Sequence, residues 1–237
     1  MHGLPAIWRV CVQHLKLQED HMNIAIDGPA GAGKSTIAKK VSKQLGYVYV
    51  DTGAMYRAMA LYFLTNHIDG ADESAVSACL DDIQVEIVYE DGEQKVLLNG
   101  ENVNGKIRTE EVGNMASATS QYASVREKLL QLQRSLAEKM DVVMDGRDIG
   151  TTVLPNADVK IYLTASVETR AKRRFEELQA KGIECDFAQI AADIEDRDYR
   201  DMHREVSPLK QAEDAYYLDS SNMNIEEVAE TIISRLK

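Results

Sequence analysis

The chain has only three cysteines, and their positions exclude the common structural uses of this residue. Cys11, Cys79 and Cys185 are far apart and show none of the short spacings that bind zinc. Isolated cysteines of this kind are typical of reduced thiols in the cytosol, where disulfide bonds rarely persist. We therefore expect a cytoplasmic protein whose fold depends on neither zinc nor disulfide bonds.

Long apolar runs are also missing. No stretch of the sequence approaches the roughly 20 apolar residues that a membrane-spanning helix needs. The apolar segment at residues 6–12 is interrupted by Arg9 and lacks a small-residue cleavage site, so we do not expect a signal peptide. These absences predict a protein without a membrane partner.

Positive charge is scarce. The 27 Lys and Arg residues face 39 Asp and Glu residues, which gives a formal net charge of −12. Such a chain repels the phosphate backbone of nucleic acids at long range, so we expect no nucleic-acid partner. A small phosphorylated ligand remains compatible with this balance if arginines gather locally.

The rest of the composition is globular, with 44% hydrophobic and 28% charged residues in a chain of 237. From Met22 onward, strand patterns alternate with helix patterns, which predicts a parallel sheet covered by helices on both faces. Residues 1–21 are interpreted as an extension outside this core, with Met22 as the functional start. A short amphipathic helix from Ile7 to Leu17 is the alternative interpretation.

One region departs from this alternation. Residues 85–89 alternate between apolar and polar side chains, Asp91-Gly92 is a hairpin signal, and residues 96–99 supply a matching strand. These features predict a small β-rich insertion at about residues 67–112. After it, the spacing of apolar residues predicts one helix from Met115 to Met140.

The most specific motif is Gly28-Pro29-Ala30-Gly31-Ala32-Gly33-Lys34-Ser35, which matches the P-loop pattern G-x-x-x-x-G-K-[ST] at every fixed position. Its glycines let backbone N–H groups converge on phosphate oxygens, and the following helix adds its positive N-terminal end. Lys34 then reaches the β- and γ-phosphates, and Ser35 places a hydroxyl on Mg²⁺. A predicted strand precedes the motif and a helix follows it, so we expect ATP and Mg²⁺ here. The expected nucleotide-binding residues are Gly28, Pro29, Ala30, Gly31, Ala32, Gly33, Lys34, Ser35 and Thr36.

Two further loops are predicted at the carboxyl ends of strands, where open α/β sheets bind their ligands. Asp145 ends the strand at residues 142–144 and is a candidate Mg²⁺ ligand, although a carboxylate there could instead cap the next turn. Gly146-Arg147-Asp148 continues this loop, and Thr52 and Arg57 follow the second strand. No Asn-Lys-x-Asp motif for guanine recognition occurs, which disfavours a GTPase switch.

Arginines also cluster near the end of the chain. Arg197, Asp201 and Arg204 have the spacing of one helix face, a pattern that in isolation is more often an ion-paired surface stripe. The preceding helix carries Arg170, Arg173 and Arg174. Two such helices would suit a helical lid over ATP, at about residues 166–208. Several arginines around one P-loop favour phosphoryl transfer over a motor or a switch, because the charge of the transferred group must be neutralised.

Taken together, these motifs resemble those of the bacterial cytidylate kinases, a family of nucleoside monophosphate kinases. The resemblance covers Met22 to Lys237 and depends on four motifs in the same order. They are the P-loop, DTGAMYR at 51–57, DGRDIGT at 145–151 and RDYRDMHR at 197–204. The resemblance implies an α/β fold with a parallel-sheet P-loop kinase core, an acceptor-binding insertion and a lid. It also implies transfer of the γ-phosphoryl group of ATP to CMP or dCMP, by a protein that we expect to be a monomer.

The resemblance further implies roles at the phosphate end of the acceptor. Thr52, Arg57 and Arg147 would hold the acceptor phosphate, and Arg204 would lie near the transferred group. Thr52 stands where the family often has Ser, so the hydroxyl is kept. The implied catalytic residues are Lys34, Arg147, Arg197 and Arg204.

At the other end of the acceptor, the resemblance implies that Ser117, Arg126 and Asp148 recognise cytosine, and that Arg197 and Asp201 contact the sugar and its phosphate side. A carboxylate can accept from the amino group of cytosine, and an arginine can donate to its ring nitrogen or carbonyl. Uracil has the opposite donor–acceptor pattern at that edge. Two alternatives stay open: a kinase for another acceptor, such as UMP, AMP or a coenzyme precursor, and a nucleotide-regulated binding protein.

Overall fold

The computed structural model describes residues 21–90 and 93–236. The interpretations of the N-terminal extension, including the helix from Ile7 to Leu17, concern residues outside this described part, as does the turn at Asp91-Gly92. The strands are β1 (Asn23–Asp27), β2 (Val48–Asp51), β3 (Val85–Glu90), β4 (Glu93–Leu98), β5 (Glu101–Asn102), β6 (Val142–Gly146), β7 (Val159–Thr164) and β8 (Tyr216–Asp219). The helices are α1 (Lys34–Leu45), α2 (Thr52–Thr65), α3 (Glu73–Ala78), α4 (Glu110–Thr119), α5 (Ala123–Ala137), α6 (Val167–Ala180), α7 (Phe187–His203) and α8 (Ile225–Ile233).

A five-stranded parallel sheet forms the centre of the molecule, in the order β2-β6-β1-β7-β8. Strand β1 reads Asn-Ile-Ala-Ile-Asp, and its last four residues are buried. Such a nearly continuous buried run is expected of a parallel strand whose two faces are both covered by helices. The predicted α/β fold with helices on both faces is therefore confirmed.

Two hydrophobic clusters cover the two faces of the sheet. On one face, α2 contributes Met55, Met59 and Phe63, and α5 contributes Val125 and Leu129. On the other face lie helices α1 and α8, with apolar residues spaced one helical turn apart. These residues are Ile37, Val41, Val228 and Ile232. The alternation of strand and helix in the sequence produces both layers because each crossover helix returns to the sheet with its apolar side inward.

Local signals in the sequence set several element ends. Gly46 ends α1 with φ 73°, a left-handed conformation that glycine adopts without a steric penalty. At the start of α8, the Asn224 side chain accepts from the backbone N–H of Glu227, and the Glu227 side chain accepts from the N–H of Asn224. The predicted reciprocal cap is therefore present.

The prediction of one helix from Met115 to Met140 is wrong. Two helices, α4 and α5, occupy this region, separated by Ser120, Gln121 and Tyr122. The break has a structural use, because the free carbonyl of Ser120 accepts from Arg126 Nη1 at 3.1 Å. The Tyr122 hydroxyl also donates to the carbonyl of Gly70 at 2.9 Å. These long-range contacts outweigh the helical preference of the sequence.

A separate antiparallel sheet, in the order β3-β4-β5, lies within the predicted insertion. The hairpin formed by β3 and β4 matches the prediction from the alternating residues. The insertion is joined to the main sheet next to α2, where the Gln94 side chain accepts from the N–H of Asp51 at 2.8 Å. Helices α6 and α7 follow as a packed pair. Across the described part of the chain, every helix is too short or too polar to span a membrane.

Candidate active site

The phosphate loop follows β1 at the carboxyl edge of the central sheet. Gly28 has φ 153°, and a Cβ atom placed on it would lie 1.9 Å from the carbonyl oxygen of Leu163. Only glycine fits this close approach to β7. Gly31 and Gly33 also have positive φ, of 74° and 87°, which allow the tight curve of the loop before α1. Thr36 is exposed in the first turn of α1.

Lys34 is a buried cation without a carboxylate partner in the described part of the chain. Its side chain donates from Nζ to the carbonyl of Pro29 at 2.7 Å, and the residue is only 6% exposed. Burial, followed by the charge of Arg147, lowers the pKa of Lys34 well below its usual value. A bound phosphate would offset the free-energy cost of burying the charge of Lys34, because it supplies a negative partner.

Ser35 and Asp145 provide two adjacent oxygen atoms beside the loop. The Ser35 hydroxyl donates to Asp145 Oδ2 at 2.9 Å, and the Tyr49 hydroxyl donates to Oδ1 at 2.9 Å. Burial first, and then the charge of Asp51, raise the pKa of Asp145 to about 6. A hydroxyl and a carboxylate fit Mg²⁺, which commonly takes one or two protein oxygens and completes its shell with water and phosphate. Within residues 21–90 and 93–236, no three His, Cys, Asp or Glu side chains form a group that could hold a metal ion.

Opposite the loop, guanidinium groups outnumber their carboxylate partners. Arg147 donates from Nε to Asp201 Oδ2 at 2.8 Å. Arg57 and Arg197, in contrast, form no ion pair with a carboxylate of the described residues, and Arg197 Nε is buried without a hydrogen-bond partner there. Burial, followed by the charge of Arg147, lowers the pKa of Arg197 to about 10. The structure thus brings together arginines from three distant segments, with positive charge in excess.

Two of the three predicted base-recognition residues, Arg126 and Asp148, are in contact. The carboxylate of Asp148 accepts from Arg126 Nη2 and lies 3.7 Å from Arg204 Nη2, and all three side chains are buried. Ser117 Oγ is likewise buried, without a hydrogen-bond partner in the described residues. The guanidinium of Arg126 lies 5.5 Å from the ring centroid of Tyr56, which gives this region an aromatic wall.

Thr52 is placed at the start of α2, as the sequence motif predicts. Its hydroxyl donates to the carbonyl of Asp145 at 2.7 Å. The proton of this hydroxyl is therefore already used, and Thr52 would have to exchange that partner to donate to an acceptor phosphate.

The three arginines of α6 have different surroundings and different partners. Arg170 is buried, donates to the carbonyl of Ala30 at 2.9 Å and pairs with Asp198 at 2.7 Å, so it joins α6, the phosphate loop and α7. Arg173 donates to the carbonyl of Ser220 at 2.9 Å, while Arg174 is at the surface.

The structure adds residues that the sequence did not single out. Asp51 accepts from the N–H of Ala54 at 2.9 Å and pairs with Arg108, which comes from the insertion. Tyr49 holds Asp145, as described above. Asp27, at the end of β1, binds two backbone amides of the loop that follows Asp148. The Asp51–Ala54 contact had a signal in the sequence, an Asp before a helix; the long-range contacts had none.

A P-loop that faces a surplus of arginines at the carboxyl edge of a parallel sheet defines a P-loop phosphotransferase. The sequence model of the cytidylate kinase family matches residues 24–237. The chain belongs to the cytidylate kinase family, and it is an ATP-dependent nucleoside monophosphate kinase.

Individual relatives agree with this assignment. The cytidylate kinase of Lactobacillus gasseri is 56% identical over 211 residues, which cover 89% of this chain and 92% of that protein. The cytidylate kinase of Bacillus subtilis is 48% identical over 219 residues, or 92% and 98% of the two chains. Among solved structures, shikimate kinase from Acinetobacter baumannii in complex with shikimate is 16% identical, covers 92% of this chain and 97% of its own, and has a TM-score of 0.45.

Proposed function

We propose that this kinase transfers the γ-phosphoryl group of ATP to CMP or dCMP, giving ADP and CDP or dCDP. The observation that carries the proposal is the excess of cations: Lys34, Arg57 and Arg197 all interact with the charge of Arg147 at the carboxyl edge of the sheet, and none has a carboxylate partner in the described part of the chain. Clustered buried cations repel one another and destabilise the free protein, so their arrangement suits an anionic ligand that neutralises them. The names of the related proteins favour cytidylate as the acceptor.

On the donor side, the loop would hold the phosphates of ATP by its backbone N–H groups. Lys34 would exchange the carbonyl of Pro29 for phosphate oxygens, whose negative charge would oppose the lowering of its pKa. Ser35 and Asp145 would hold Mg²⁺, which supplies charge neutralisation and orients the phosphate chain. Arg147, Arg197 and Arg204 would stabilise the negative charge of the transferred group.

On the acceptor side, the attacking atom is an oxygen of a phosphate, which is largely dianionic at neutral pH because its second pKa is about 6. The scheme therefore needs no general base. Arg57, Arg147 and Thr52 would fix the position of that phosphate, and Arg197 and Asp201 the sugar side. Asp145 and Asp148 are then available to organise the metal and to recognise the base.

The role of Asp148 in base recognition predicts a change of specificity. In Asp148→Asn, an amide N–H would face the amino group of cytosine but could donate to the carbonyl of uracil. We expect the preference for CMP over UMP in kcat/KM to fall by about tenfold or more, partly through faster use of UMP. Asp148→Ala is the matched variant, because it loses CMP recognition without gaining a donor. An unchanged preference in both variants would contradict this role.

The role of Asp145 predicts a change in metal dependence. We expect Asp145→Asn to raise the Mg²⁺ concentration for half-maximal activity by about tenfold or more, since one anionic oxygen near the metal is lost. Tyr49→Phe is the control, because it removes a hydrogen bond to the same carboxylate but leaves its charge. Activity measured over a Mg²⁺ titration checks the prediction, and equal titration curves for Asp145→Asn and the wild type would refute it.

We propose further that the insertion at about residues 67–112 helps to bind the acceptor and that residues 166–208 close over ATP. We also propose a cytoplasmic monomer.

The overall proposal is tested by ADP release with a panel of acceptors. CMP and dCMP should support rapid release, with UMP and AMP much slower. Slow release that does not depend on any acceptor would favour a nucleotide-regulated binding protein instead.

A further inference from the structure

A buried carboxylate that has no part in the mechanism above connects the phosphate loop to the acceptor side. Asp27 is the last residue of β1, directly before Gly28, and is 5% exposed. Its Oδ1 accepts from the N–H of Ile149 at 2.8 Å, and its Oδ2 accepts from the N–H of Gly150 at 2.7 Å. One side chain thereby satisfies two consecutive backbone amides that are 122 and 123 residues away in the sequence.

These two amides open a π-helical turn, Ile149–Val153, that comes directly after Asp148. Further along the turn, the amides of Thr152 and Val153 both donate to the carbonyl of Asp148, at 2.8 and 3.2 Å. The turn therefore closes on Asp148 from one side and is held by Asp27 from the other. A shift of this turn would move the base-recognition carboxylate directly.

Gly150 allows the close approach between the turn and β1. A Cβ atom on this residue would lie 3.4 Å from Asp27 Oδ2 and 3.2 Å from the side chain of Lys160. These distances are at or below ordinary contact for a carbon atom, so a larger residue would push the turn away from Asp27.

The strand that carries Asp27 does not depend on this carboxylate for its own position. Strand β1 pairs with β6 along its whole length on one side, and with β7 from Ile24 to Asp27 on the other. Loss of the carboxylate would therefore act mainly on the turn, and through it on Asp148 and Arg147. Asp148 contacts Arg126 and Arg204, and Arg147 contacts Asp201, so a misplaced turn would disturb the whole acceptor cluster.

We propose that Asp27 is a positioning residue that fixes the turn after Asp148 and so sets Arg147 and Asp148 for the acceptor nucleotide. This inference rests on the proposed function, since it assumes that those two residues bind the acceptor. Burial raises the pKa of Asp27 to about 6, and the amides of Gly150 and Ile149 oppose that shift. The group is thus mainly ionised at neutral pH and can accept both hydrogen bonds.

Asp27→Asn tests the proposal, because asparagine has the same shape but only one acceptor oxygen. Its NH₂ group would face the second amide, which leaves a buried donor unpaired. We expect the KM for CMP to rise by about tenfold or more, while the KM for ATP changes by less than about twofold. Asp141→Asn is the matched control: Asp141 accepts from the N–H of Met22 at 2.8 Å, at the opposite end of β1. It should leave both constants unchanged.

A double mutant separates positioning from a general structural effect. If Asp27 acts through Asp148, Asp27→Asn will lower the CMP-over-UMP preference of the wild type but not the already lowered preference of Asp148→Asn. Should Asp27→Asn fail to fold, Gly150→Ala disturbs the same contact from the turn and is judged by the same measurements.

The outcomes are distinct. Equal increases in both KM values, no increase in either, or an additive loss of preference in the double mutant would overturn the role of Asp27. A wild-type enzyme that does not phosphorylate CMP would contradict the proposed function itself, before any variant is compared.

Discussion

Replacing Lys34 with alanine will reduce turnover of ATP and CMP by about 10²–10³-fold or more, and the protein will still fold. Lys34 is buried, and a backbone carbonyl is its hydrogen-bond partner in the described structure. Its charge therefore costs free energy in the empty protein and stabilises negative charge only when phosphate is bound. Steady-state ADP release measures the loss of turnover, and thermal unfolding shows whether the variant still folds.

The control for this variant lies on the same helix. Lys40 pairs with Glu226 at the surface, at 2.6 Å, and Lys40→Ala should leave turnover unchanged. If Lys34→Ala kept the ATP affinity and turnover of the wild type, the phosphate loop would have no role in nucleotide binding and the functional assignment of the site would be lost.

Arg197→Met will give the second large effect, a fall of about 10²–10³-fold in kcat/KM for CMP, with thermal stability unchanged or increased. Arg197 Nε is buried without a hydrogen-bond partner in the described residues, and the charges that act on Arg197 include those of Arg147, Asp201 and Arg57, of which Asp201 is already paired with Arg147. Removing it leaves no carboxylate unpaired and relieves repulsion between like charges. A loss of activity together with a gain in stability is expected where buried charges are arranged to bind a ligand.

Two comparisons make this prediction specific. Arg200→Met, on an exposed position of the same helix, should alter neither activity nor stability. Arg147→Met should lower both, because it leaves the buried carboxylate of Asp201 unpaired. A clear loss of stability in Arg197→Met together with full activity would show that Arg197 is structural.

The local features of the fold and the site could be predicted from the sequence. The P-loop, the alternating residues of β3 and β4 and the cap at Asn224 depend on neighbours within a few residues, so their patterns are visible in the chain. The strand-to-helix order also defined the parallel sheet, because parallel strands need crossover connections.

The contacts between distant segments could not be predicted in the same way. The break between α4 and α5 is held by contacts with Gly70 and with the side chain of Arg126. The residues around the break favour a helix, so the local sequence does not indicate it. Arg126 is a buried arginine on a helix, which violates the rule that charged residues lie outside, so periodicity gives no reason to select it. Ser117 and Arg126 were expected only through the family resemblance. The contact between Asp27 and Gly150 had no signal at all.

The central claim is that one site holds two nucleotides with their phosphates end to end, between the phosphate loop and the arginine cluster. The most direct test is calorimetry with a bisubstrate compound in which adenosine and cytidine are joined through their 5′ positions by five phosphates. We expect one molecule bound per chain, at least about 100-fold tighter than ATP or CMP alone, and weaker binding to both Lys34→Ala and Arg57→Met. Affinity no greater than that of ATP, with no effect of Arg57→Met, would contradict it.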